Sequence, residues 1–195
     1  MNTIKTIRGA VAVASTIVLA GCLVPEKFTA TVTVKPDASY RYQYQGTAVH
    51  ILAAMQIQKQ GHLTPKDEAQ LKADADKSAK TDGIKKLAYQ GAGRYEVSVD
   101  RDVAPGQRSP VLNIVSLSKN RDDTYTLTAS ELKPKDRDGL LGLGIKVDGT
   151  VEVALPSNAK VLSQNASRTP GLFSKTYMWK VNGYDAKPSL TFKLN

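Results

Sequence analysis

The stretch FTATVTVKPDASYRYQYQ, Phe28 to Gln45, decides the fold. Phe28, Ala30, Val32 and Val34 alternate with Thr29, Thr31, Thr33 and Lys35. Successive strand side chains point to opposite faces, so this period of two predicts a strand with one buried face. Pro36-Asp37-Ala38-Ser39 is turn chemistry. Tyr40, Tyr42 and Tyr44 then alternate with Arg41, Gln43 and Gln45, which completes a β-hairpin. A row of tyrosines at period two has two readings, a ligand-stacking surface or packing on a sheet, and packing is the commoner use of aromatics there.

Downstream of the hairpin the period changes. Gly46 is read as its end, and Val49, Leu52, Ala53 and Ile57 share one face of a helix over Ala48 to Lys59 that Gly61 can cap. Thr64-Pro65-Lys66-Asp67 offers an N-cap, a proline at the first helical position and acid in the first turn. This second helix is predicted to run to about Lys80, with an alanine-rich side that packs shallowly. Strand patterns return at Leu87–Gln90, Arg94–Val99, Val111–Ser118, Thr124–Glu131, Ile145–Leu155, Ala159–Ser163, Tyr177–Val181 and Leu190–Leu194. Asp102 to Pro110 and Lys133 to Gly144 read as irregular. Most strands are apolar on one face only, as in antiparallel sheets with a wet side. The expectation is an α+β fold: mainly antiparallel sheet, with one or two helices inserted after the first hairpin and covering the sheet's other face.

Upstream of the hairpin lies a different kind of sequence. Lys5 and Arg8 precede Ala10 to Ala20, which is apolar except for Ser15 and Thr16. That core is too short for a membrane span of roughly 20 residues and has the layout of an export signal. It ends in Leu19-Ala20-Gly21-Cys22, which resembles the bacterial lipobox at every position. The resemblance implies cleavage between Gly21 and Cys22 and diacylglycerylation of the Cys22 thiol, often with acylation of the new amine. Cys22 is the chain's one cysteine, so an intramolecular disulfide is excluded. Two or more acyl chains anchor a protein stably where one does not. The expected division is therefore 1–21 signal peptide, 22–27 lipidated cysteine and short tether, and 28–195 a single envelope domain. A tether of about five residues reaches less than about 20 Å at roughly 3.6 Å per residue, which keeps the domain against the bilayer. Leu23 after the cysteine, by resemblance to enterobacterial sorting, implies the outer membrane in a Gram-negative host. Otherwise the anchor places the chain on the outer face of the cytoplasmic membrane.

Charge adds to this. The sequence has 27 Lys+Arg and 18 Asp+Glu. Without Lys5 and Arg8 the balance is 25 against 18, or +7. A basic domain beside a membrane favours anionic lipid head groups or polyanionic glycans as partners, with a plain solvated basic surface as the alternative. The envelope compartment disfavours nucleic acid.

Catalytic signatures are sparse. His50 and His62 lack partners at metal-ligand spacing, and no Gly-x-Ser-x-Gly elbow is present. No catalytic residue, metal ligand or cofactor is assigned. The segment Lys133-Pro134-Lys135-Asp136-Arg137-Asp138, followed by Leu140, Leu141 and Leu143, sets basic residues beside a leucine cluster. It is read either as a bilayer or acyl-chain contact using Lys133, Lys135, Arg137 and the three leucines, or as a plug over the end of the sheet.

Residues 148–179 contain Asp148-Gly149-Thr150-Val151-Glu152-Val153, Leu155-Pro156-x-Asn158-Ala159-x-Val161 and Tyr177-x-Trp179. This run resembles the mycobacterial LppM family of lipoproteins. The resemblance implies an α+β domain that engages lipid or glycolipid, and no binding residue is carried over from it. Three functional classes follow: a non-enzymatic lipid-, glycan- or protein-binding lipoprotein; a structural or assembly subunit of an envelope complex; and a hydrolase built around His50 or His62.

Overall fold

A computed structural model describes residues 22–109, 111–129, 132–172 and 174–195. The segment read as an export signal, through Gly21, lies outside the described residues, as does Glu131. The hairpin forms as its period dictates: β1 (Leu23–Val34) pairs antiparallel with β2 (Tyr40–His50), and Val34 faces Tyr40 across the turn. The alternation sets the buried face. Ala30, Val32, Tyr40, Tyr42 and Tyr44 are buried, so the tyrosine row is packing.

Two helices follow, α1 (Ile51–Gln60) and α2 (Pro65–Ser78). Gly61 closes α1 in the left-handed conformation at φ 83°. Thr64 and Asp67 form a reciprocal capping box at the start of α2. The chain continues through β3 (Ile84–Gly91), β4 (Arg94–Val103), β5 (Val115–Lys119) and β6 (Thr124–Ala129) to a third helix, α3 (Pro134–Gly142). It ends with β7 (Asp148–Ala154), β8 (Ala159–Gln164), β9 (Thr176–Asn182) and β10 (Ser189–Leu194).

The strands form two sheets. One has six strands in the order β3-β4-β2-β1-β7-β9, and the other has four in the order β5-β6-β10-β8. All pairings are antiparallel except β1 with β7, which run parallel at the middle of the larger sheet. Tyr42, Val32 and Val153 from the larger sheet share one hydrophobic core with Leu127, Leu190 and Phe192 from the smaller. The fold is α+β and rich in antiparallel sheet.

Four expectations are corrected. The second sheet shares the core face that helices were expected to cover; α1 and α2 each bury a single alanine, Ala53 and Ala75, too little apolar surface to cover a sheet. Gly46 does not end the hairpin, because β2 continues to His50 and delays the first helix. The 22–27 tether is absorbed into β1, which starts at Leu23 with a bulge between Pro25 and Phe28. Lys133 to Gly144 is not irregular. Its glycines weaken helix propensity, yet Pro134 at the first turn and the burial of Leu140 support α3.

The bulge explains Gly46. A Cβ at this position would lie 2.1 Å from the Lys27 carbonyl oxygen and 2.7 Å from the Phe28 Cα. Backbone cannot yield as a flexible side chain does. Gly46→Ala is expected to cost about 1–3 kcal/mol, the range of overpacking, and a shifted urea midpoint at constant slope would show it.

Candidate functional site

The two sheets do not close at the end where β1 begins and β9 finishes. Phe28 fixes the base of this opening. Its ring stacks on Tyr44 at 5.7 Å between centroids and 17° between planes. The ring also lies flat over Gly149, where a Cβ would stand 2.5 Å from the ring edge. Above it lies a cavity of about 990 Å³, at the upper end of the roughly 300–1,000 Å³ usual for ligand pockets.

Several separated segments wall the cavity, among them the run from Val181 to Pro188. Leu23, Val24 and Pro25 come from the start of β1. Leu112, Asn113 and Ile114 come from the approach to β5. Leu112 has a left-handed backbone at φ 45°, unusual for leucine. Its carbonyl accepts a hydrogen bond from the buried Tyr42 hydroxyl, which ties this wall to the core. Burial pushes the Tyr42 phenol well above its ordinary range, so it stays a neutral donor. Helix α1 gives Ile51, Met55 and Lys59, α3 gives Lys135 and Leu140, and Leu143 follows as its C-cap.

Side-chain bonds hold the rim together. The Gln58 Nε2 donates to the Gly142 carbonyl at 2.7 Å, joining α1 to α3. Arg137 reaches Asp185 at 2.9 Å and so ties α3 to the segment between β9 and β10. On that segment Tyr184 donates to the Ile145 carbonyl at 3.1 Å. Burial first, and then the nearby Glu26 charge, push the Tyr184 phenol up to about 12. The Cys22 carbonyl accepts from the Ile51 amide at 2.9 Å, so the half-buried Cys22 is held beside cavity-lining residues of both β1 and α1.

The residues singled out in the sequence divide among several roles. Leu140 is buried and Leu143 half-buried, and both line the cavity with Lys135. Leu141 turns outward and is 53% exposed. Lys133 precedes α3 as an exposed N-cap residue, and Arg137 is engaged with Asp138 and Asp185. Gly21 is outside the described residues. Sequence reading missed Val24, Leu112, Ile114 and Tyr184, because they converge from segments whose periodicity carries no hint of a shared wall.

His50 is the N-cap of α1: its Nδ1 accepts from the Ala53 amide at 3.3 Å. Among the described residues no hydrogen bond joins His50 or His62 to a serine or a carboxylate, and no group of three His, Cys, Asp or Glu side chains is placed to hold a metal ion. What the site offers chemically is a half-open, largely apolar volume with the Lys59 and Lys135 ammonium groups and the Asp136 carboxylate at its rim.

No protein-family model matches the sequence, and no curated protein matches it either. Among solved structures, the chain is similar to the folded domain of LppM from Mycobacterium tuberculosis, determined by NMR. The two are 15% identical, 87% of this chain and 90% of that chain are covered, and the TM-score is 0.44. It is also similar to native yeast LTA4 hydrolase at 8% identity and a TM-score of 0.37, over 90% of this chain and 30% of that one.

The His50 cap makes stability depend on pH. Burial holds the imidazole below its ordinary value, against a smaller opposing effect of Asp74. The unfolded chain therefore binds the proton more readily, and protonation also removes the acceptor at Nδ1. Stability is full above the unfolded value near 6.5 and is lost as pH falls below it. Replacing His50 by Asn retains a good N-cap residue. The melting temperature of His50→Asn is expected to fall less than that of the parent between pH 7 and pH 5.

Proposed function

We propose that this chain is a non-enzymatic envelope lipoprotein, anchored through lipid on Cys22, whose cavity binds the acyl chain of a lipid or glycolipid. The anchor reading rests on the lipobox and the export signal. It places the domain at the outer membrane of a Gram-negative host, or outside the cytoplasmic membrane otherwise. The binding reading is carried by one observation, the large cavity with Phe28, Leu140, Leu143 and Val181 on its walls.

The energetics suit an acyl chain. Each buried methylene contributes about 0.8 kcal/mol, and the cost of ordering the ligand is subtracted from that gain. The wall is apolar, and the charged groups Lys59, Lys135 and Asp136 are exposed at the rim. An amphiphile would put its tail inside and its head group among those charges. A free glycan has no apolar part to fill the interior, so lipid is favoured over glycan as the bound class.

Leu143→Glu tests the cavity. This position is half-buried, so the domain tolerates the change better than it would at Leu140. The substitution sets a carboxylate in the path of the tail. The purified protein is expected to bind a fluorescently labelled acyl phospholipid saturably, and the variant to lose at least about tenfold in affinity, equivalent to about 1.4 kcal/mol. Equal binding by a folded variant, or no binding by the parent, contradicts the reading. Native mass spectrometry of protein from its own envelope would identify a retained lipid.

A further inference from the structure

The rim of the cavity also carries apolar side chains that face solvent. Leu52 and Met55 lie one turn apart on α1 and are 57% and 51% exposed. Leu132 and Leu141 flank and end α3 and are 41% and 53% exposed. Met55 and Leu132 line the cavity mouth, and the Gln58 bond to Gly142 brings the end of α3, next to Leu141, against α1. Lys59, Lys133 and Lys135 stand among them, exposed, and form no ion pair with any described residue. Asp136 is the acidic residue of the cavity lining, and Arg137 is already neutralised by Asp138 and Asp185.

We infer that this rim is a bilayer-docking face for anionic phospholipid, which sets the cavity mouth directly against the membrane. Apolar side chains that water exposes gain by entering the interfacial zone, and lysines beside them are attracted to an anionic leaflet. Charge complementarity favours a lipid surface over an apolar protein face, which would leave the lysines unpaired. Among the described residues no helix is long and apolar enough to cross a membrane.

The position of Cys22 gives the same direction. β1 begins at Leu23, so little free chain separates the anchor residue from the folded domain. The first residues of β1 and the start of α1 both line the cavity. An anchor there pulls the rim toward the bilayer. The opposite end of the larger sheet carries Leu172, which is 99% exposed and lies before β9, whose far end reaches the cavity at Val181. Leu172 is therefore an apolar control that should stay in water. The direction of the face rests on the anchor reading at Cys22; the apolar and basic rim does not.

Depth-dependent fluorescence quenching tests this. The lipidated full chain, with Met55→Cys, Leu141→Cys or Leu172→Cys introduced singly, is labelled with an environment-sensitive dye. It is then placed in phosphatidylcholine–phosphatidylglycerol vesicles whose acyl chains are brominated. Quenching several-fold stronger at 55 and 141 than at 172 is expected, as is loss of much of that quenching when Lys59, Lys133 and Lys135 are all changed to Glu. Equal quenching at the three positions, stronger quenching at 172, or no effect of the triple change overturns the inference. Intact mass reads lipidation of Cys22 separately. If the thiol proves unmodified, the same pattern measured in a Cys22→Ser background still decides the docking face. Binding of the labelled phospholipid is a third, independent readout, so failure of the cavity reading is not mistaken for failure of this one.

Discussion

β1 is paired along both edges, with β2 on one side and β7 on the other, and the rest of the fold is arranged around that double pairing. Its inward side chains supply the middle of the core, and its parallel match with β7 brings the C-terminal third of the chain onto the N-terminal hairpin. Its first residues, Leu23 to Pro25, pair with β2 alone, ahead of the doubly paired stretch that starts at Lys27, and giving them up would break that ladder. That constraint holds Leu23 in the sheet and leaves Cys22 at a fixed place in the molecule. The close approach of Gly46 to the bulge and of Gly149 to the Phe28 ring are the local conditions for it.

The cavity is a consequence of how the two sheets meet. Their shared core is filled where large side chains face one another: the tyrosine row and Trp179 from the larger sheet, and Leu127, Leu190 and Phe192 from the smaller. Toward the start of β1 the lining shifts to Val24, Pro25, Ala129 and Gly183, and space remains. Helices α1 and α3 edge this space without filling it, since α1 buries Ala53 and α3 buries Leu140. Shallow helices at an open sheet end give walls that are apolar inside and basic outside, which is the arrangement an amphiphile at a membrane surface requires. Structure and proposed function meet at this rim, where Cys22, the apolar lining and the lysines come close together.

Much of this was legible in sequence because it is local. The period of two in Phe28–Gln45 set the buried face of the hairpin down to individual tyrosines. Thr64-Pro65-x-Asp67 and Gly61 marked helix ends whose capping bonds the structure contains. The pairing of β1 with β7 was not legible, since parallel partners far apart in sequence leave no turn signal between them. The division of strands into two sheets was hidden for the same reason, as most strands are amphipathic whichever sheet they join. In 133–144 the glycines masked a helix that tertiary contacts maintain. The leucine run there also looked uniform, although Leu140 faces inward and Leu141 outward. The cavity itself, assembled from several separated segments, carried no pattern beyond the leucines and lysines in and around α3.

The central claim is that the chain is structured up to Cys22, so that Cys22 and the cavity belong to one folded unit. The amide of Ile51 tests it most directly. As the first residue of α1 it has no acceptor within the helix, and its hydrogen bond is to the Cys22 carbonyl. Residue-resolved hydrogen exchange is expected to find the Ile51 amide protected, and protection in β1 extending upstream of Phe28 toward Leu23. Free exchange at Ile51, with protection in β1 beginning only after Phe28, would mean that residues 22–27 are a loose tether and would contradict the account.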